Sequence, residues 1–302
     1  NLPALDTAAN RPATLSQKVV TGLLKETLDY DGLIFTDAME MQGVRKFFEP
    51  GIAEAEAFLA GNDVLLLPQN LGKAVQAIEA YLEAGRLTQE RLAYSVKKIL
   101  RAKYELGLFQ QPSVPLDRLE EELHTVRDMA LIEEVAEHAQ TLLRDKTRQI
   151  PYHPAAYRNM ASIAIGTSST TPFQQMLSRY GDFTHYQLPK EAGLRQRQVA
   201  RRNLKDKDLV LISIHGLRNR PNYGLSRAQI TFIEEVVRQQ PNTCLVIFGN
   251  PYLLAAFDAV DRVIMAYDDH PEIQEAAAQG LFGAAPFKGK LPITASPGSP
   301  YY

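Results

Sequence analysis

The chain has 302 residues, enough for one large domain or two ordinary ones. Apolar residues make up 45% and charged residues 23%, the profile of a globular protein with a large core. The net charge is −2 and no long block of Lys and Arg occurs, which argues against a nucleic-acid partner. No apolar run approaches the roughly 20 residues that a membrane-spanning helix needs.

Helices and strands are predicted to alternate over the first hundred residues. Ser16 is a plausible N-cap for the first helix, and Gly107 is a natural C-terminal stop for the last. The run DVLLLP is uninterrupted and apolar, as in strands that are buried on both faces of a parallel sheet. The predicted elements are helix 16–29, strand 33–37, helix 51–60, strand 63–68 and a helical region 71–106 interrupted near Gly85.

Two parallel strands are too few for an independent domain. We therefore interpret the first hundred residues as the end of a larger α/β structure. This interpretation predicts exposed apolar edges and faces on these strands unless further strands cover them.

The second part of the chain is predicted to be a separate α/β domain. Residues 110–121 contain two prolines and no apolar period, which is typical of a linker, and a helix is expected over 122–143. About five mostly parallel strands with intervening helices predict a doubly wound α/β/α sandwich. The predicted strands are 160–166, 183–188, 208–216, 243–249 and 261–267, and the predicted helices are 172–179, 226–239 and 271–282; the basic run 195–207 is interpreted as a solvated helix face.

Asp37 ends the strand LIFTD, where a buried strand would not be expected to carry a charge. Carboxylates at the C-terminal ends of parallel barrel strands are typical catalytic groups of (β/α)8 enzymes. The alternative is that Asp37 caps a following turn or helix. Asp63 begins its strand and therefore does not fit the catalytic position.

Other polar residues carry weaker signals. Asp6 and Asn10 are best interpreted as turn residues beside Pro12. The six histidines lack metal-ligand spacing, and His215, which ends a buried strand, is expected to be a surface histidine in a loop. The loops IGTSSTTP and FGNP follow strands, but neither has a nucleotide-binding glycine pattern, and no G-x-S-x-G motif occurs. No cofactor and no metal is predicted.

Several motifs together resemble glycoside hydrolase family 3. The run from Pro3 to Val44 is similar to the late barrel segment of that family, and further similar segments follow in the same order. They are Pro12-Ala13 with Ser16, Tyr30-Asp31-Gly32, Thr36 to Met41, AGNDVLLLP at 60–68, SVKKILRAKYELGLF at 95–109 and LFGAAPFKGKLPIT at 281–294. The resemblance implies that residues 1–109 form the last strands and helices of a (β/α)8 barrel. Residues 110–121 then form a linker and residues 122–302 the α/β/α domain.

The resemblance also implies a role for Asp37. In this family the Asp of the [ST]-D motif is the catalytic nucleophile of a retaining glycosidase, and that motif is Thr36-Asp37 here. Such a carboxylate must stay ionised, so hydrogen-bond donors or cations are expected near it. The family's general acid/base in the β-N-acetylglucosaminidase branch is an Asp–His pair on an earlier barrel loop. That loop would precede Asn1, so these 302 residues are expected to be inactive alone.

The residues after Asp37 favour one branch of the family. β-Glucosidases of the family usually have an aromatic residue, typically Trp, directly after the nucleophile, whereas Ala38 follows here and the chain has no Trp. The small residue followed by Met39 and Met41 is more similar to the β-N-acetylglucosaminidases. Met41 is a candidate for lining the sugar pocket, the alternative being core packing. The expected substrate is a carbohydrate from cell-wall fragments, which suggests an exported protein.

Two alternatives stay open. The chain is a β-glucosidase or β-xylosidase of the same family, or it is an inactive scaffold or interaction fragment. In the first alternative Asp37 remains the nucleophile and only the sugar changes. In the second, loss of Asp37 has no effect on any hydrolysis.

Overall fold

The computed structural model describes residues 2, 4–110, 113, 116–217 and 221–301. The chain forms two compact units, Asn1–Pro115 and Leu116–Tyr302, which we call unit 1 and unit 2. Four residues of the expected linker, Gln111, Pro112, Val114 and Pro115, lie outside the described residues. Each unit is described by itself below.

Helices make up most of unit 1. The helix predicted over 16–29 is a π-helix, Lys18–Thr27, and Ser16 Oγ accepts the Val19 N–H at 3.2 Å, as expected of an N-cap. The helical region 71–106 is two helices, and Gly107 (φ 69°) follows the second, as predicted. The α-helices are α1 (Gln42–Arg45), α2 (Ile52–Ala60), α3 (Leu71–Glu83) and α4 (Gln89–Glu105).

The two strands predicted in unit 1 lie side by side and parallel, but they pair at a single bridge, Phe35–Val64. The Thr36 N–H donates to the Val64 carbonyl at 3.0 Å, and the Val64 N–H donates to the Ile34 carbonyl at 3.0 Å. The expectation that DVLLLP is buried on both faces is wrong, because Leu67 is 61% exposed. Burial on both faces needs packed layers above and below the sheet, and the described part of unit 1 leaves Leu66 and Leu67 uncovered.

The exposed strand residues of unit 1 agree with the expectation of uncovered apolar faces. Phe35 is 54% exposed, and Leu66 and Leu67 are exposed as well. The buried apolar residues form three small clusters, of which one joins Val20 of the π-helix to Ile34 and Ala60. The other two centre on Leu15, Met39 and Ala53 and on Phe58, Tyr81 and Leu87.

Unit 2 is built around a six-stranded mixed sheet. The strand order is β1-β6-β5-β4-β2-β3; β2 to β6 are parallel, and β1 pairs with β6 in the antiparallel direction. In chain order the elements are α5 (Leu119–Leu123), α6 (Val126–Ala139), β1 (Thr141–Asp145), β2 (Met160–Ile165), α7 (Pro172–Leu177), β3 (Phe183–Leu188), α8 (Leu194–Leu204), β4 (Leu209–Ile214), α9 (Arg227–Gln239), β5 (Thr243–Ile247), β6 (Arg262–Met265) and α10 (Pro271–Leu281).

Apolar clusters cover both faces of this sheet, since alternate strand residues point to opposite faces. Ile212 of β4 packs with residues of α8 and α9, whereas Leu211 packs with residues of α7 and α10. Each strand expected in unit 2 is present, as are the three expected helices. The fold class is therefore α/β.

One expected element of unit 2 is wrong. The helix predicted over 122–143 is α6, which ends at Ala139, and Thr141–Asp145 forms the edge strand β1 instead. Leu142 and Leu143 continue the apolar period of the helix, but both lie in β1, where Leu142 pairs with Ile264 of β6. Pairing with β6 satisfies N–H and C=O groups that this edge of the sheet would otherwise expose. Helix α5 begins at Leu119, inside the expected linker.

His185 lies on the edge strand β3 between two hydroxyl groups. Its Nδ1 is 2.7 Å from Ser162 Oγ and its Nε2 is 2.8 Å from Ser178 Oγ. Gln174 donates to Ser162 Oγ at 2.9 Å and fixes that hydroxyl. Burial lowers the pKa of His185, because the half-buried ring has lost solvent that would stabilise its charged form.

We expect His185 to titrate below the ordinary histidine pKa of about 6.5. Because its folded pKa is lower than its unfolded pKa, the unfolded state binds the proton first as the pH falls. The stability contributed by neutral His185 is therefore complete above about pH 6.5 and is lost as the pH falls through 6.5 towards the folded pKa. The measurement is an NMR titration of 13C-labelled histidine, with the signal assigned by its absence in His185→Gln. A midpoint at or above that of a denatured-state peptide would contradict this prediction.

Candidate active site

Asp37 comes directly after a residue that is fixed in two ways. Thr36 is buried; its N–H donates to the Val64 carbonyl, and its Oγ1 accepts the Leu66 N–H at 2.9 Å. The backbone that leads into Asp37 is thus bound to the neighbouring extended segment through both main chain and side chain. Thr is suited to this position, because its branched side chain fits a strand and its hydroxyl accepts a hydrogen bond.

The Asp37 side chain itself is exposed. Its Oδ1 accepts the N–H of Ala38 at 2.8 Å, and the hydrogen bonds of the described residues leave Oδ2 without a donor. Within the described part of the chain Asp37 forms no ion pair. Of the hydrogen-bond donors and cations expected near it, one backbone N–H, that of Ala38, is present. A carboxylate with a free oxygen is available to an electrophile.

Asp37 does not cap a helix. The next helix is α1, and its cap residue is Met41, whose carbonyl accepts the N–H groups of Val44 and Arg45. The capping interpretation of Asp37 is therefore wrong as far as α1 is concerned. A turn at Met39 and Glu40 separates Asp37 from that helix.

The two methionines after Asp37 have different surroundings. Met39 is fully buried beside Leu15 and Val44, and its N–H donates to the Leu66 carbonyl at 3.0 Å. Met41 is 51% exposed and does not pack in the core of the described part of unit 1. Met39 anchors the turn after Asp37, whereas Met41 is half exposed.

Asp63 is the centre of a buried ionic cluster that the sequence did not predict. Its side chain is fully buried; Oδ2 accepts from Lys98 Nζ at 2.9 Å and from the Ile34 N–H at 3.1 Å, and Oδ1 accepts from Ser95 Oγ. Arg91 Nη1 lies 3.7 Å from Oδ1. Asp63 itself is visible in the sequence as the first residue of DVLLLP. Its partners Ser95 and Lys98 belong to α4, about thirty residues later in the chain.

The cluster holds the segment that leads to Asp37. Burial by itself would raise the pKa of Asp63, but hydrogen bonds from Ser95, Lys98 and the Ile34 N–H outweigh it and lower that pKa. Lys98 Nζ also donates to the Gly32 carbonyl at 2.6 Å. The pair of Asp63 and Lys98 therefore binds the backbone at Ile34 and Gly32, a few residues before Asp37.

Helix α2 carries two further buried carboxylates. Glu54 accepts the N–H groups of Gly51 at 2.7 Å and of Gln69 at 2.9 Å, which closes the start of α2 and fixes the chain after DVLLLP. Glu56 accepts from Tyr81 and Arg86 at 2.7 Å each and from Arg11 at 3.1 Å. Burial works to raise the pKa of Glu56, but these three hydrogen bonds lower it overall. Both groups are structural.

Asp6 makes local hydrogen bonds and Asn10 lies in a turn. Asp6 accepts the Ser16 hydroxyl at 2.5 Å and the Ala8 N–H at 3.0 Å, and these hydrogen bonds lower its pKa. Asn10 is exposed and has φ 59°, the left-handed conformation that Asn tolerates. No described hydrogen bond links either residue to Asp37.

In unit 2 the expectation for His215 is wrong. It is 3% exposed, with Nδ1 2.7 Å from Asp269 Oδ1 and Nε2 2.8 Å from Ser213 Oγ. Its ring stacks on Phe248 at 4.9 Å between centroids. Both ring nitrogens are occupied and Ser213 is fully buried, so this Ser–His–Asp array ties the end of β4 to the loop after β6.

The strand-end loops that drew attention in the sequence have structural roles. Thr171 at the end of IGTSSTTP caps α7 by accepting the Gln174 N–H, and Asn250 of FGNP accepts the Tyr252 N–H at 3.0 Å. Across the described ranges no three His, Cys, Asp or Glu residues are grouped to hold a metal ion. No helix in those ranges has the length and apolar character that crossing a membrane requires.

Comparison with known proteins assigns the family. Residues 1–102 match the model described as "Glycosyl hydrolase family 3 N terminal domain". This match assigns residues 1–102 to glycoside hydrolase family 3. The matched range contains Asp37 and all of the buried carboxylates of unit 1.

The names of the similar curated proteins include more than one activity. A beta-N-acetylglucosaminidase/beta-glucosidase from Cellulomonas fimi is 25% identical over 302 residues, covering 94% of this chain and 53% of its own length. Beta-hexosaminidase A from Pseudoalteromonas piscicida is 37% identical over 105 residues, covering 32% of this chain and 18% of its own length. The chain thus spans about half the length, or less, of these two curated relatives.

A solved structure of the family has the same fold. The beta-N-acetylglucosaminidase from Paenibacillus sp. str. FPU-7 superposes with a TM-score of 0.79 at 24% identity, covering 95% of this chain and 55% of the other. At that identity the likeness concerns the fold alone. It extends through both units of this chain.

Proposed function

We propose that this chain carries the nucleophile of a retaining exo-glycosidase that releases terminal β-linked N-acetylglucosamine. The observation that carries the proposal is the exposed carboxylate of Asp37, placed after a buried threonine that is fixed to the neighbouring segment. Membership of family 3 makes a glycosidase the fitting reaction class.

In the proposed reaction, Asp37 Oδ2 attacks the anomeric carbon while the bond from that carbon to the leaving oxygen breaks. A general acid protonates the leaving oxygen, and the sugar remains bound to Asp37 as a glycosyl ester. The same group, now a base, then takes a proton from water, which attacks the anomeric carbon and releases Asp37. Two displacements retain the β configuration.

We assign the general acid/base to a segment outside these 302 residues. The other carboxylates of unit 1 discussed above, Asp6, Glu54, Glu56 and Asp63, are engaged by hydrogen bonds within the unit. The exposed strand residues Phe35, Leu66 and Leu67 support the same view, since further barrel strands would cover them. These 302 residues alone are therefore expected to be inactive.

The sugar preference rests on the residues after Asp37 and on the relatives. Ala38 leaves room beside the nucleophile, and Met41 presents an exposed, adaptable side chain for the sugar pocket. The relative with 37% identity is named a hexosaminidase. The second candidate, a β-glucosidase, is favoured by the Cellulomonas fimi relative, whose name includes both activities, and a β-xylosidase or an inactive scaffold are further alternatives.

We further propose that the protein is exported and acts on cell-wall fragments. A relative from Arthroderma benhamiae that is 38% identical over 101 residues is named an uncharacterized secreted glycosyl hydrolase. Terminal N-acetylglucosamine on wall fragments would be met outside the cytoplasm.

The sugar preference is tested with the full-length protein and two aryl glycosides. We expect kcat/KM for the aryl β-N-acetylglucosaminide to exceed that for the aryl β-glucoside, because the acetamido group adds contacts that the glucoside lacks. Turnover of the glucoside alone would move the protein to the second candidate. Turnover of neither glycoside would leave the scaffold alternative. The 302-residue chain, assayed in parallel, is expected to hydrolyse neither.

A further inference from the structure

A groove runs along the surface of unit 2 between α8 and α9. Two adjoining cavities of about 480 and 440 Å³ form it, and they share Gln198 and Arg201. Phe232 of α9 closes the floor. The groove lies outside the candidate active site, which is in unit 1.

The walls of the groove carry an excess of positive charge. Five cationic side chains and one acidic side chain, Glu235, line the groove. The chain as a whole has a net charge of −2, so this excess is local. The five are Arg197, Arg201, Arg202, Lys205 and Arg227.

Three of these cations form a regular row. Arg197, Arg201 and Lys205 are spaced four residues apart, so they lie on one face of the helical segment at steps of roughly 6 Å. Arg227 faces the row from the first turn of α9. A row of this kind matches a ligand with negative charges repeated along a chain rather than a single small anion.

The contacts within the groove leave most of this charge available. Arg201 pairs with Glu235, and Arg197 donates from Nη1 to the Ala192 carbonyl, which orients the guanidinium without neutralising it. In the described part of unit 2, Arg202, Lys205 and Arg227 form no ion pair. Unpaired arginines offer planar forks that fit carboxylates in a bidentate manner.

We propose that this groove binds an acidic polysaccharide whose carboxylate groups lie along the row. The neutral side chains Gln198, Thr231 and Gln239 supply hydrogen-bond partners for sugar hydroxyls between the charges. Nucleic acid fits less well, since bases need exposed aromatic platforms and the one aromatic lining residue, Phe232, is buried. Such a groove would hold the protein on an anionic glycan, and it does not depend on the proposed glycosidase activity.

The test measures binding of a fluorescent α-1,4-linked galacturonate octamer to the full-length protein at low salt. We expect saturable binding, weakened on the order of 10-fold in the variant Arg197→Gln/Arg201→Gln/Lys205→Gln, because each exposed charge pair contributes a modest increment. Added salt is expected to weaken wild-type binding more steeply than binding by the variant.

A matched control removes the same charge elsewhere. The variant Arg127→Gln/Arg158→Gln/Arg179→Gln changes three exposed arginines outside the groove and is expected to bind within about two-fold of wild type. If the first variant unfolds, Lys205→Gln/Arg227→Gln replaces it, because neither side chain makes a hydrogen bond or an ion pair among the described residues. Absence of wild-type binding, equal losses in groove and control variants, or tighter binding of an oligo-thymidine of equal charge would each overturn the proposal.

Discussion

Replacing Asp37 with alanine is expected to lower kcat/KM of the full-length protein by a factor on the order of 10⁴ or more. The reason is that the proposed glycosyl ester cannot form without this carboxylate. Added azide should restore part of the activity, because a small anion fits where the carboxylate was and attacks the same carbon. The product would then be the glycosyl azide of inverted, α configuration, which NMR identifies.

The control for this experiment is Asp29→Asn. Asp29 is an exposed carboxylate of unit 1 with φ 52°, a conformation that Asn adopts well, and its loss should leave kcat/KM within about two-fold of wild type. If Asp37→Ala keeps more than a tenth of the wild-type activity, the nucleophile is another group. Azide rescue that yields the β-azide would exclude the proposed covalent step as well.

Replacing Asp63 with alanine is expected to lower the free energy of unfolding of unit 1 by about 3–5 kcal/mol. The fully buried carboxylate compensates Lys98, and its removal leaves that partly buried ammonium group without its charged partner. The Ile34 N–H would lose its acceptor in Asp63 too. Denaturant unfolding of the full-length protein, followed for the transition of unit 1, measures the loss.

Exposed Asp31 serves as the comparison, because Asp31→Ala removes the same charge with an expected loss within about 0.5 kcal/mol. The pH dependence gives a second readout. Since the folded pKa of Asp63 is lowered, its contribution is present above its unfolded value near 3.8 and is lost as the pH falls through the folded pKa. A loss below 1 kcal/mol in Asp63→Ala would show that the cluster is dispensable.

Local signals in the sequence predicted local structure well. Ser16 caps the π-helix and Gly107 follows α4, because a side-chain cap and a left-handed glycine are decided by residues a few positions away. The buried strands of unit 2 were predicted from continuous apolar runs. Strand β1 was not, because its pairing with β6 is decided far along the chain.

In the candidate site, too, one feature could be predicted from nearby residues and another could not. The end of the extended segment located Asp37, since a carboxylate that breaks an apolar run is visible in the sequence. The cluster around Asp63 was invisible, because it forms when Ser95 and Lys98 of α4 come to lie against residues thirty positions earlier. The burial of His215 likewise depends on Phe248 and Asp269, which belong to other parts of the sheet.

The edge strand β1 is synthesised long before the strand with which it pairs. Thr141 pairs with Met265, so β1 leaves the ribosome about 120 residues before its partner. At roughly 5–20 residues per second, that interval lasts on the order of 6–25 s. Throughout it, β1 presents unpaired backbone groups that strands of other nascent chains can add to. The rate of translation between β1 and β6, and the chaperones present during that time, will therefore influence how much of the protein is recovered folded.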